Sequence, residues 1–396
     1  MADLEETLRS FVDSGQVPGL VALVARGEDV EVVTLGTRDA TGAPMSRDSL
    51  FRGASISKPV TAALTMSLVE DGSIELDAPV ADLLPELADP PVLRTLESPL
   101  DDTVACARPI TARHLLTGTA GHGFCTWESA VTPLLTERLH QAADDIHEVP
   151  APDEWMRRLA TIPLMHQPGD GWTYNASYDV LGVLIARAAG QDLADALAER
   201  LLDPLGMTDT GFHVPADEVD RLTTMYGADD GGLVVRDQPD GYFTRPPAFP
   251  SGSGGLVTTV DDWLAFGRML VAGGEGPRGR VLATESVREL TTDHTTARHR
   301  ELGGFFLDGQ GWGFGGGVDT QVIDPWNVIG RYGWVGGTGT SAYVHPDGTV
   351  AVLLTQVVLG SPGIEELLEA FWTATRQAHP VGRLSPPGGS LPWTHD

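Results

Sequence analysis

Apolar residues recur along this chain with two periods, and the places where the period changes outline its organisation. Leu4, Leu8, Phe11 and Val12 fall at helical spacing, which predicts a short amphipathic helix at the start. Leu20 to Ala25 and Val30 to Leu35 are β-rich runs joined by Gly27-Glu28-Asp29, the pattern of a hairpin. A second hairpin is predicted far away, where Gly339 to Val344 and Thr349 to Val357 flank Pro346-Asp347-Gly348. After it, Ser361 is placed to cap a helix with Pro362 at its first position. Ile364, Leu367, Leu368 and Phe371 give that helix an apolar face.

Between these ends the period is mostly helical: Ser55 to Glu70, Thr111 to Leu116, Asp153 to Leu159, Tyr178 to Ala189 and Asp192 to Leu202 all read as helices. Gly190 and Pro204 supply stop signals for the last two. An isolated two-stranded hairpin is not stable in water, so the early and late hairpins must share one sheet. The expected fold class is therefore α/β (α+β): an antiparallel sheet built from both chain ends, flanked by helices, with a mostly helical insertion. The division expected is residues 1–75 and 245–380 for the sheet domain and 76–244 for the insertion. The Pro- and Gly-rich stretch 381–396 reads as a mobile tail. Two packed units meeting at a cleft commonly hold a small-molecule site.

Composition narrows the function. With 41% apolar residues among 396 the chain has ample material for a core, and no run approaches the ~20 apolar residues of a membrane span. The first residues, Met1-Ala2-Asp3-Leu4-Glu5-Glu6, are acidic where a secretion signal is basic and then apolar, so a cytoplasmic location is expected. A net charge of −29 repels phosphate backbones and anionic lipid, which argues against nucleic-acid and membrane partners. Cys106 and Cys125 are too few for a disulfide framework or a structural zinc site, and no His-Glu-x-x-His occurs; no metal or cofactor is expected. The Gly-rich stretch Gly303 to Gly317 lacks the Gly-Lys-Ser/Thr ending of a phosphate loop. His294 and His299 lie in a polar stretch and read as solvated.

One compositional fact points to chemistry. Of the 26 basic residues, all but Lys58 are arginine. Coding bias accounts for arginine wherever a solvated cation suffices, but not for a lone retained lysine, and lysine is the one of the two that can give up its proton when desolvated. Its surroundings are Phe51-Arg52-Gly53-Ala54-Ser55-Ile56-Ser57-Lys58-Pro59. Pro59 cannot sit inside a helix, so the helix must start near Ser55, with Ser55 and Lys58 three residues apart on one face of its first turn. There the positive end of the helix and burial both disfavour a charged amine, leaving Lys58 able to take a proton from Ser55. A capping serine followed by an ordinary lysine is the bland alternative. No Gly-x-Ser-x-Gly elbow offers a rival nucleophile.

Two further segments join this pair. Trp172-Thr173-Tyr174-Asn175 precedes an apolar helix, where Tyr174 is placed to shuttle a proton and Asn175 to bond substrate or lysine; a packing tyrosine beside an N-cap asparagine is the alternative. Tyr332-Gly333-Trp334-Val335-Gly336-Gly337-Thr338-Gly339 enters the late hairpin, with glycines dense enough for a substrate to approach the strand edge.

Ser55-Ile56-Ser57-Lys58, then Tyr174-Asn175 opening Tyr178-Asp179-Val180-Leu181-Gly182, then Trp334-Val335-Gly336-Gly337, resemble in this order the penicillin-recognising serine hydrolases. That family comprises class C β-lactamases, D-Ala-D-Ala carboxypeptidases and the esterases and acyltransferases on the same fold. Ile110 to Thr117, Asp203-Pro204-Leu205-Gly206-Met207 and Gly254 to Thr259 look like the family too, so the likeness runs from the first helix to about Ala378. The resemblance implies Ser55 as nucleophile, Lys58 as base, Tyr174 as proton shuttle, and Asn175, Trp334, Gly336 and Gly337 at the substrate, with backbone N–H of Ser55 and Gly337 as the oxyanion hole. It departs in two places. The family's Tyr-x-Asn is contracted here to Tyr174-Asn175, which leaves Tyr178 as second candidate for the shuttle. Trp334 stands where β-lactamases carry the lysine of Lys-Thr-Gly, as in the esterase-like members, with Arg331 the nearest basic residue in sequence. The function implied is a serine hydrolase or acyltransferase acting on a small-molecule ester or amide, with an amine or alcohol as possible acceptor. β-lactamase or D-aminoacyl peptidase activity, and a catalytically idle ligand-binding module, are the alternatives.

Overall fold

The computed structural model describes residues 4–377, so the 381–396 tail lies outside the described residues. The early hairpin forms as β1 (Gly19–Arg26) and β2 (Asp29–Gly36). The Gly-rich stretch contributes two strands that the sequence pattern did not announce, β3 (Gln310–Trp312) and β4 (Gly317–Asp319). Then come β5 (Tyr332–Gly336), β6 (Thr340–Val344) and β7 (Thr349–Thr355). They make one seven-stranded antiparallel sheet in the order β3-β4-β5-β6-β7-β1-β2. The two chain ends join where β1 pairs with β7, Leu20 opposite Thr355 through Arg26 opposite Thr349.

β1 is apolar at every position from Leu20 to Ala25 because both faces of the sheet are covered. Leu20, Ala22 and Val24 meet Leu4 and Leu8 of the first helix (α1, Leu4–Asp13) and Ile364, Leu367 and Phe371 of the last (Ile364–Gln377). Val21, Leu23 and Ala25 point the other way into the main core, which includes Val60 and Leu64 of α2 (Ser57–Glu70). The last helix begins at Ile364 and not at Pro362, because Gly363 takes a left-handed φ of +87° and separates Ser361-Pro362 from it.

Among the helices expected between the hairpins, α3 (Ala112–Leu116) is capped at its start by a Thr111 side chain that accepts from His114 N–H, and α4 (Ala176–Ala189) ends at Gly190 with φ +66°. Helices at Thr132–Leu139, Val260–Val271, Thr284–Thr291 and Ala297–Gly303 were not apparent from the sequence. The last of these corrects the reading of His299 as solvated. His299 is buried, its ring caps the Thr296 N–H, and its Nε2 lies 3.0 Å from Gly169 O. His294 also has structural partners: it stacks on Phe314 and bonds Glu289 O at 2.8 Å. Both cysteines are free thiols. Among the described residues no helix is long and apolar enough to cross a membrane.

Candidate active site

Ser55 sits in a single 3₁₀ turn, Ala54–Ile56, that runs directly into α2. Pro59 therefore falls in the first turn of α2, where its missing N–H costs nothing. The turn is entered through Ala54 at φ +48°, a conformation an L-residue seldom adopts, and it is held from two sides. Gly53 N–H donates to Leu256 O at 2.7 Å, while Thr338 and Thr340 hydroxyls donate to Arg52 O and Gly53 O at 2.6 and 2.7 Å. Gly336 on β5 is the residue that allows this approach: a Cβ there would lie 2.4 Å from Gly53 O. Gly337, next along, is exposed with open space over its α-carbon.

Ser55 is partly exposed and Lys58 is wholly buried. Lys58 Nζ lies 2.7 Å from Ser55 Oγ, 2.8 Å from Asn175 Oδ1 and 2.7 Å from Ser253 O. Burial lowers the Lys58 pKa to about 7, against the attraction of buried Asp179. A neutral amine has two N–H donors and one lone pair. With Asn175 Oδ1 and Ser253 O taking the two donors, the lone pair is left for Ser55 Oγ.

Asn175 opens α4 at φ +84°, yet its side chain does not cap that helix. Instead Oδ1 accepts from Lys58 and Nδ2 donates to Gln141 Oε1 at 3.1 Å. A non-glycine residue held in such a conformation is a mark of a site where geometry outranks local stability.

Tyr174 is fixed at the mouth of α4 by two backbone bonds with Phe124. Its Oη accepts from Trp334 Nε1 at 2.7 Å and is hydrogen-bonded to Ser55. Burial pushes the phenol up to about 12, against those two hydrogen bonds. Around it stand Phe306, stacked at 4.5 Å between centroids, and Trp172, Trp312 and Trp334. Tyr178, the second candidate, has its hydroxyl fully engaged: it donates to Leu116 O at 2.6 Å and accepts from Trp312 Nε1 and Gly315 N–H at 3.0 and 2.8 Å.

Trp334 is buried on β5, its N–H spent on Tyr174. Arg331 is an odd number of residues away on the chain entering the same strand, so it faces the other side of the sheet. There it pairs with Asp319 at 2.9 Å and stacks over Tyr343 and Trp372.

The structure thus brings Ser55, Lys58, Tyr174, Asn175 and Trp334 into one connected cluster, with Gly336 packed against the Gly53–Ala54 backbone that leads into Ser55 and Gly337 exposed next to it in the chain. Sequence reasoning missed Gln141, Ser253, Phe306 and Trp312. It also passed over Asp179, a carboxylate on an apolar helix face between Tyr178 and Val180, which was a readable signal.

Comparison with known proteins gives the family and the fold. The family model described as Beta-lactamase matches residues 4–365. Esterase EstB of Burkholderia gladioli is 36% identical over 379 residues, covering 89% of each chain. Lovastatin esterase of Penicillium rubens is 30% identical over 360 residues, covering 84% of this chain and 87% of its own. Among solved structures, EstCE1, described as a hydrolase with promiscuous acyltransferase activity, superposes with a TM-score of 0.74 at 26% identity. That match covers 93% of this chain and 97% of EstCE1.

Proposed function

This chain belongs to the Beta-lactamase family, and from that premise we propose that it is a serine esterase or acyl transferase of small neutral molecules. The observation that carries the chemistry is the 2.7 Å approach of Ser55 Oγ to the amine of a fully buried Lys58. Lys58 takes the Ser55 proton as Oγ attacks the ester or amide carbonyl. The oxyanion that forms is held by the backbone N–H groups of Ser55 and Gly337. As the C–O or C–N bond breaks, Tyr174 gives its proton to the leaving group, and the Trp334 N–H steadies the phenolate.

The second half-reaction returns every proton. The phenolate takes one from water or from an alcohol or amine acceptor, which attacks the acyl carbon. Ser55 Oγ leaves and recovers its proton from Lys58. Hydrolysis and transfer share the first half, and the name of EstCE1 joins both activities in one related protein. The esterase branch is favoured over β-lactam hydrolysis because Trp334 replaces the family's lysine and Arg331 is turned away, so neither presents a cation for a β-lactam carboxylate. We place the enzyme in the cytoplasm, in line with its two unpaired thiols, Cys106 and Cys125.

Intact-protein mass after exposure to a fluorophosphonate tests the reading. One adduct is expected in the wild type and none in Ser55→Ala; an unmodified wild type would support an idle binding module instead. A second expectation concerns pH. Lys58 acts only when neutral, so the acylation rate should rise with pH through about 7 and level off above it. A rate flat between pH 5 and 9 would mean that no group with the lowered pKa of Lys58 governs acylation.

A further inference from the structure

Beneath the cluster lies a carboxylate that no step above uses. Asp179 is buried on α4, and one of its oxygens holds each of two arms that end on Lys58. On the first arm, Asp179 Oδ2 accepts from Gln141 Nε2 at 2.5 Å, Gln141 Oε1 accepts from Asn175 Nδ2 at 3.1 Å, and Asn175 Oδ1 accepts from Lys58 Nζ at 2.8 Å. On the second, Asp179 Oδ1 accepts from Ser253 N–H at 3.2 Å and from Ser251 Oγ at 2.7 Å, and the carbonyl of the same Ser253 accepts from Lys58 at 2.7 Å. Every donor along both arms points towards the carboxylate.

This polarity has a consequence for the amides. A side-chain amide can present either its oxygen or its NH₂ group, and only its neighbours decide which. An acceptor-only carboxylate forces Gln141 to offer it NH₂, which turns Gln141 oxygen to Asn175, which turns Asn175 oxygen to Lys58. Burial raises the Asp179 pKa above the usual carboxylate value, and the hydrogen bonds from Ser251 and Ser253 together with the Lys58 charge work against that rise to keep the carboxylate form. We propose that Asp179 is a positioning residue that, through Gln141–Asn175 and through Ser253, fixes both N–H bonds of neutral Lys58 so that its lone pair faces Ser55 Oγ.

The inference rests on Lys58 being the base. The titratable groups facing Lys58 are Asp179 and the two phenols Tyr174 and Tyr178, whose rings lie 4.5 and 5.9 Å from Nζ. Both phenols are pushed upward by burial and stay neutral through the range of the experiment, so Asp179 supplies the one negative charge among them. That charge favours the ammonium form, so removing it must make Lys58 easier to deprotonate.

The test is the pH profile of Ser55 acylation in Asp179→Asn, beside wild type and Gln141→Met, with melting curves for all three. In Asp179→Asn the plateau should fall by about 10²-fold, the scale of a misaimed reacting group, and the rising limb should move to lower pH. Gln141→Met cuts only the amide arm and keeps the charge, so its plateau should fall while its limb stays in place. A folded Asp179→Asn whose rate drops with the limb unmoved would reduce Asp179 to packing and overturn the proposal. A folded Gln141→Met acylating at the wild-type rate would overturn it as well, and this variant decides the matter if Asp179→Asn does not fold. A wild type that forms no Ser55 adduct removes the proposed function and this inference together. A normal wild type with unchanged variants removes the inference alone.

Discussion

Lys58→Arg is expected to lower the rate of Ser55 acylation by at least ~10²-fold, the lower range for loss of a general base, while the protein remains folded. Arginine keeps the positive charge and most of the aliphatic stem but does not release its proton in a protein. In the wild type the buried amine has a pKa near 7, so a large share of molecules carries a free lone pair 2.7 Å from Ser55 Oγ at neutral pH. A guanidinium in that place can only donate. It satisfies Asn175 and Ser253, yet the Ser55 proton has no acceptor as the new C–O bond forms. The larger head group must also be fitted into a closed space, and overpacking of this kind costs about 1–3 kcal/mol, so the melting temperature is measured alongside the rate. The check is pre-steady-state release of p-nitrophenol from an activated ester, with intact mass reporting the acyl-enzyme. Turnover near the wild-type level in a folded Lys58→Arg protein would sink the assignment of Lys58 as base.

The features that could be read in the sequence were those written in local spacing. The terminal hairpins, the shared sheet and the start of α2 near Ser55 followed from period, turn residues and a proline. Lys58 stood out because it was chemically alone among 25 arginines. Outside this reach lay contacts between segments distant in the chain. Gln141 meets Asn175 and Asp179 across 34 and 38 residues, and no local pattern marks a glutamine for such a task. Ser253 contributes a carbonyl, which every residue has. β3 and β4 escaped notice because three-residue strands among glycines show no alternation to count. Asparagine favours the helix-cap position that Asn175 occupies, but its side chain bonds Lys58 and Gln141 instead, because those tertiary bonds outcompete the local one. The polar stretch around His294 and His299 misled for a related reason. Polar side chains there satisfy helix ends and backbone carbonyls, so polarity did not mean solvent.

Short activated esters should be hydrolysed much faster than anionic β-lactams, as a comparison of kcat/KM for p-nitrophenyl butyrate and nitrocefin will measure. An unpaired carboxylate moved into a partly dry cleft is costly, and what surrounds Tyr174 here is indole and phenyl rings. Trp334 gives its N–H to Tyr174, and Arg331, the first suspect for a compensating cation, is locked against Asp319 on the opposite face. The net charge of −29 adds long-range repulsion of anionic substrates, so raising the ionic strength should narrow the gap somewhat. A win for nitrocefin would mean that another cation reads its carboxylate, and the esterase or transferase branch would be the wrong one. If the ester wins, Trp334→Lys separates the local cause from the global one. A lysine there restores an ammonium beside Tyr174 Oη while changing the overall charge by a single unit, so a local cause predicts a much smaller preference for the ester. A preference that stays as large would place the substrate carboxylate away from Trp334, and the aromatic wall, with no help from the missing cation, would have to account for the selectivity.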